Sequence, residues 1–155
     1  GELALDTRRN TFRAVTPRTE VFTLPKGDMS GNLFRVKNVS TYQTLAATAL
    51  DGRTLADSDS ILIFQVSDVS QTGVRFANQE RTILEKTSTG RLLLRKAKAE
   101  IELELKRPMT VTACNMMGEP VGTVKSTFRN GILRFTADNS AYKGGTVAYQ
   151  LTPAE

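Results

Sequence analysis

Between residues 110 and 151 the chain writes four short β-strands in succession, and the turns between them are spelled out in residue type. TVTACN precedes the turn MMGEP, VGTVKSTF precedes the pair Asn130-Gly131, and ILRFTA precedes the polar DNSAYKGG that leads into TVAYQLT. Asn-Gly between two alternating apolar runs is a strong hairpin signal, because both central residues of a type I′ turn take positive φ. A chain built this way folds as antiparallel β-structure, and the four segments are expected to form a meander.

The same rhythm fills the rest of the chain. Strand-like segments fall at 3–6, 12–15, 20–24, 33–39, 43–50, 61–69, 91–94 and 100–105, separated by short Gly, Pro, Asn, Asp and Ser connections. Short strands recurring every 8 to 12 residues or so indicate an all-β sandwich or barrel. The run AEIELELK alternates most cleanly: Ile101, Leu103 and Leu105 point one way, Glu100, Glu102 and Glu104 the other. Leu94, Ala97, Ile101 and Leu105 also fit one helical stripe, but the intervening Leu103 and the strict Glu alternation favour a strand. ILIFQV at 61–66 is nearly continuous in apolar residues and suits a sheet centre, buried on both sides. Leu50-Asp51-Gly52-Arg53 reads as a second hairpin turn of the Asp-Gly type. Residues 70–88 are the least regular and read as a long loop with a short strand near 82–84 or one helical turn. Loops of that length tend to contact substrates or partners.

The ends and the middle together resemble a known family. The closing order "strand, x-x-G-x-x-V, strand, G-x-L-x-F, strand, G-T-V-x-Y-x-L" is similar to the last strands of the β-sandwich that follows the catalytic barrel in many bacterial glycoside hydrolases. Gly1, Glu2, Leu3 and Asp6, followed by Thr16, Pro17, Arg18 and Thr19, resemble that sandwich's opening. TALDGRTLADSDSILIFQVSDVSQTG resembles its hairpin and central strand. Where the family pattern has tryptophans after that strand, this chain has none, and Phe76 stands at one such place.

The resemblance implies one antiparallel β-sandwich, Ig-like or jelly-roll in style, of about a dozen strands spanning residues 1–155. It implies a non-catalytic accessory domain, cut from a longer chain and inactive alone, whose partner is the catalytic domain of the same parent chain. Hydrolysis by two carboxylates would reside in that barrel, with the loop at 70–88 the candidate contribution to the substrate cleft. The parent would be extracellular or periplasmic if secreted. Arg18 would pin the N-terminal strand through a carboxylate or the neighbouring domain.

Residue types narrow the chemistry further. The chain has no His, which removes the Ser-His-Asp triad, imidazole acid–base catalysis and His metal ligation. Its single Cys114 lies in an apolar strand segment and reads as an inert buried thiol. Glu100, Glu102 and Glu104 would stand about 6.5–7 Å apart on one strand face, within the range of an inverting glycosidase pair. Alternating with core residues, they read instead as the solvent-facing side of a strand. Asp51, Asp57 and Asp59 offer oxygen ligands without a calcium-loop spacing, so no metal site and no cofactor is expected. The net charge is +5, but the basic residues are dispersed and lack interleaved aromatics, which speaks against nucleic acid. No apolar run is long enough for a transmembrane helix, and no membrane partner is expected.

Two other functions stay open at this point. A carbohydrate-binding module would present exposed rings, and Tyr42, Tyr142 and Phe76 are the candidates, the last with Arg75, Asn78, Gln79 and Arg81 around it. Polysaccharide would then be the partner. A structural or adhesive Ig-like module would instead carry a self-contained polar surface. An excised hydrolase domain should expose an apolar patch of interdomain size.

Overall fold

A computed structural model describes residues 2–154; Gly1, which carries part of the N-terminal motif, lies outside them. Among the described residues there is no helix. In chain order the strands are β1 (Leu3–Asp6), β2 (Thr11–Val15), β3 (Thr19–Leu24), β4 (Gly27–Ser30), β5 (Phe34–Val39) and β6 (Gln43–Ala49). They continue with β7 (Ile61–Ser67), β8 (Val69–Gln71), β9 (Arg75–Phe76), β10 (Leu84–Lys86), β11 (Leu92–Leu94) and β12 (Lys98–Glu104). The last five are β13 (Met109–Cys114), β14 (Pro120–Val124), β15 (Ser126–Arg129), β16 (Ile132–Asp138) and β17 (Ala148–Pro153). One sheet runs β1-β2-β3-β6-β7-β17-β13-β14 and the other β15-β16-β12-β5-β4, all antiparallel.

The two sheets form a sandwich, and period-2 alternation decides what lies between them. Phe22 and Leu24, Leu45 and Ala47, Ile61 and Ile63, Val111, Tyr149 and Leu151 face inward from the larger sheet. Phe34, Val36, Ile101, Leu103, Leu133 and Phe135 meet them from the smaller one. Phe22 stacks on Phe34 with ring centroids 5.4 Å apart. Residues 98–104 are strand, as their Glu alternation requires. Asn130 and Gly131 have φ of 51° and 75° between the paired Arg129 and Ile132, the turn that the Asn-Gly pair predicts.

Four expectations are corrected. The last four strands are not a meander: the segment 120–129 divides at Lys125, β14 staying in the larger sheet and β15 entering the smaller. Val121, Val124 and Phe128 all pack against the core, and that spacing has no period of two, so the chain must bend there. β17 then returns to pair with both β7 and β13.

Asp51-Gly52 does not make a two-residue turn. The β6–β7 connection spans 50–60, and Asp51 is its hub, accepting hydrogen bonds from Asp59 N (2.8 Å), Ser58 Oγ (2.9 Å) and Arg53 N (3.2 Å). Those donors, the Asp59 amide first, hold its carboxyl below the usual range. Residues 70–88 are no open loop either. β8 pairs with β11 and β9 with β10, making a projecting ribbon, the arm, whose strand falls at Leu84–Lys86 rather than 82–84.

Two buried polar devices lock the layers together. Glu20 on β3 is fully buried, and its carboxylate accepts from the backbone amides of Leu33 (2.9 Å), Asn32 (3.1 Å) and Phe34 (3.1 Å), where β5 begins. Gly31 is required beside it, since a Cβ there would lie 1.8 Å from Glu20 Oε2. At the other end, Tyr149 Oη donates to Gln65 Oε1 (2.9 Å), and Gln65 Nε2 donates to Gln43 Oε1 (2.9 Å) and to the carbonyls of Ala97 (3.2 Å) and Ala137 (3.3 Å). Burial keeps the Tyr149 phenol far above its ordinary pKa, so it remains a donor. Asn139 extends this seam to Ala97 N and Arg95 O.

Candidate functional site

The outward face of the larger sheet is assembled by register. Residues directly opposite on neighbouring strands share a face, so the pairings trace continuous rows. One row runs Leu3–Ala14–Val21–Ala46–Phe64–Ala148–Cys114–Pro120 across all eight strands. Beside it lie Leu5–Phe12–Thr23–Thr44–Val66 on one side and Thr19–Thr48–Leu62–Gln150–Thr112–Thr123 on the other. None of these positions is charged, in a chain where 24% of residues are. Leu3, Leu5, Phe64 and Val66 are exposed on it, so the run 61–66 is buried on its inner side only and not on both. At strand spacings the face is about 34 Å wide and about 20 Å tall, a size suited to an interdomain contact. Leu50, Leu62, Phe64, Met116 and Met117 wall a depression of about 430 Å³ at one side.

The smaller sheet faces outward with charge. Glu102 Oε1 meets Arg134 at 2.9 Å and Lys37 at 3.0 Å, and Glu104 meets Arg35 at 3.5 Å. Hydrogen bonds from Arg134 and Lys37 hold the Glu102 carboxyl below its usual range. A general acid needs the opposite shift. These glutamates therefore work as counter-ions.

A groove marks the border between the uncharged face and the arm. Tyr42, Thr44, Val66, Asp68 and Arg95 line about 410 Å³ of open space, with Gln43 and Ser67 beneath. Tyr42 is exposed there, 51% of its surface facing solvent. Asp68 Oδ2 is shared by Arg81 (2.7 Å) and Arg95 (3.1 Å), which ties the arm to its base. Ser67 Oγ adds a 2.6 Å bond to Arg95 O. The arm with its base, residues 68–96, holds six Lys or Arg against three Asp or Glu, a net +3.

The structure separates the three candidate rings. Tyr42 is free on the groove wall. Phe76 is half-buried, and the Arg81 guanidinium covers it 5.0 Å from the ring centroid. The neighbouring Asn78 is committed to the tip of the arm, accepting from Thr82 N and Ile83 N at 3.0 Å. Tyr142 is half-buried on β14: a Cβ on Gly122 would lie 2.5 Å from its Cε1, and its hydroxyl donates to Thr123 O at 3.1 Å. Tyr142 packs, and it is Gly122 that makes the room.

Arg18 is exposed and has no carboxylate within 4.0 Å among the described residues. The TPRT turn works through its main chain instead, Pro17 O accepting from Leu55 N (2.8 Å) and Arg18 O from Ala49 N (2.9 Å). Asp57 and Asp59 are engaged by Lys106, Arg53 and Arg107, and no cluster of three metal-ligating residues occurs among the described residues. Cys114 is a buried free thiol. No signal in a single segment points to the uncharged face, since it exists only once register is known. The chain matches no family model, and no curated protein or solved structure matches it.

Proposed function

We propose that this chain is the non-catalytic accessory β-sandwich of a glycoside hydrolase, and that its uncharged face packs against the catalytic barrel of the same parent chain. The observation that carries this reading is the eight-strand face without a charge. A surface kept for water would carry Lys and Glu at those positions, as the smaller sheet does, and an uncharged face of this size with Leu3, Leu5, Phe64 and Val66 exposed on it suits a covering partner. A self-contained adhesive module would have no reason to leave it bare. Catalysis by two carboxylates would belong to the barrel, with this domain supporting the cleft beside its arm.

Maleimide labelling tests the packing. A cysteine placed at the centre of the face by Thr48→Cys should react freely in the isolated chain and at least about tenfold more slowly in the full-length parent, as expected for a site buried between domains. Equal rates in the two contexts would sink the proposal.

A further inference from the structure

We propose that the groove between Tyr42 and Arg95 holds one unit of an acidic polysaccharide, the sugar ring lying on Tyr42 and its carboxylate or sulfate on Arg95. The inference rests on reading the chain as part of a carbohydrate-acting protein, and it names the substrate class. Four observations converge on it.

Tyr42 is the one candidate ring left uncovered. Rings of this kind stack on the apolar faces of pyranoses, and Val66 continues the apolar wall beneath it. Next, the one carboxylate in the groove, Asp68, is shared between Arg95 on the wall and Arg81 reaching in from the arm, so cations outnumber it. The Arg95 side chain is still 54% exposed, so its planar fork has donors left for an anion. Third, the arm beside the groove, counted with its base from 68 to 96, carries a net +3, a field that concentrates anionic polymers. Last, the volume of about 410 Å³ falls within the range of ligand sites, and such sites favour domain borders. Tyr42 and Thr44 continue the outward alternation of β6, so a glycan crossing from a docked neighbour would pass over this rim. Nucleic acid is disfavoured because single-strand binding needs successive stacking rings and only one is free.

Affinity electrophoresis of the chain tests this, with gels containing polygalacturonate, alginate or dextran sulfate. Fully methyl-esterified pectin, xylan and polyglutamate serve as comparison polymers. Retardation by an acidic polysaccharide is expected, at least about tenfold weaker in Tyr42→Ala and in Arg95→Gln, the scale of one lost charge-assisted or stacking contact. Arg129→Gln, on β15, removes the same charge elsewhere and should bind as the unaltered chain does. Retention by polygalacturonate or alginate but not dextran sulfate assigns a carboxylated sugar, and the reverse a sulfated one. Because Arg95 also anchors the arm, Tyr42→Ala is the deciding variant, with its melting temperature as the check on folding.

Retardation by polyglutamate equal to that by the polysaccharides, and indifferent to Tyr42→Ala, would overturn the site in favour of bulk charge. Absence of retardation by every acidic polysaccharide would overturn it outright. Retardation by the neutral polymers alone would overturn the acidic class and leave the carbohydrate reading standing. Docking of the uncharged face is read separately by the labelling of Thr48→Cys.

Discussion

On the smaller sheet the outward positions of β12 are Glu100, Glu102 and Glu104, met on the strands beside it by Arg35, Lys37 and Arg134. On the larger sheet the outward positions of β6 are Thr44, Ala46 and Thr48, met by Thr23, Val21, Phe64 and Leu62. Both strands are central, both alternate with period two, and both bury aliphatic side chains on their inner face. What differs is the medium each outward face is made for. Charged cross-strand pairs cost nothing to hydrate and discourage association. Thr, Ala and Phe pack at close range and tolerate being covered. The inner faces therefore report the fold, and the difference between the outer faces reports the surroundings.

That comparison presupposes two layers held in one registration, so the strongest way to break it is at Glu20. Glu20→Ala strands one buried and two part-buried amides and should cost about 3 kcal/mol in urea unfolding. A loss below about 1 kcal/mol would mean that the layers do not depend on this carboxylate. Next in size is Glu102→Leu, which leaves Arg134 and Lys37 facing each other across β12. Their half-exposed positions limit the loss to about 1 kcal/mol, shrinking in high salt. An effect independent of salt would remove electrostatics as the principle of that face.

The pH dependence sharpens the contrast. The folded Glu102 pKa lies below its unfolded value near 4.5, so its contribution is fully present above that value. It is lost as pH falls through the depressed folded pKa. Asp51, Asp57 and Asp138 are shifted the same way. Stability should therefore decline on acidification below about pH 4.5, and Glu102→Gln should make that decline shallower. An identical slope in the variant would show that Glu102 takes no part. The smallest effect is expected on the opposite face: Ala46→Lys should change the stability of the isolated chain by no more than about 0.5 kcal/mol. A large loss would mean that the uncharged face contributes to the fold itself.

Local pattern made much of this legible. Asn130-Gly131 announces its hairpin because the backbone angles it needs are a property of two adjacent residues. Glu alternation sets the register of β12 because slipping by one residue would bury carboxylates. The bend at Lys125 was harder to read: VGTVKSTF satisfies strand propensity throughout, and only packing of Val121, Val124 and Phe128 on one core divides it. In residues 70–88 no local pattern marks β8, whose partners on β11 lie some twenty residues onward, and β9 and β10 are too short, at two and three residues, to show one. Tyr142 looked exposed in DNSAYKGG, while the glycine that receives its ring lies twenty positions earlier. The candidate site shares this property. Its cations are scattered in sequence, and Tyr42 meets Asp68 and Arg95 only because β6 and β7 end side by side.

The place of β17 bears on the order in which the molecule assembles. It is the last of the described strands in chain order, yet it lies inside the larger sheet, with β7 on one side and β13 on the other. Until residues 148–153 arrive, the hairpin β13–β14 has no hydrogen-bonded link to the strands from β1 to β7. A growing chain can therefore form the smaller sheet while the larger one stays in two pieces, their facing edges unpaired. Closure waits on a contact that spans most of the sequence, the kind of long-range pairing that makes β-sandwiches slow to fold. Shortening the chain by its last six or seven described residues would split a sheet down the middle rather than trim its margin.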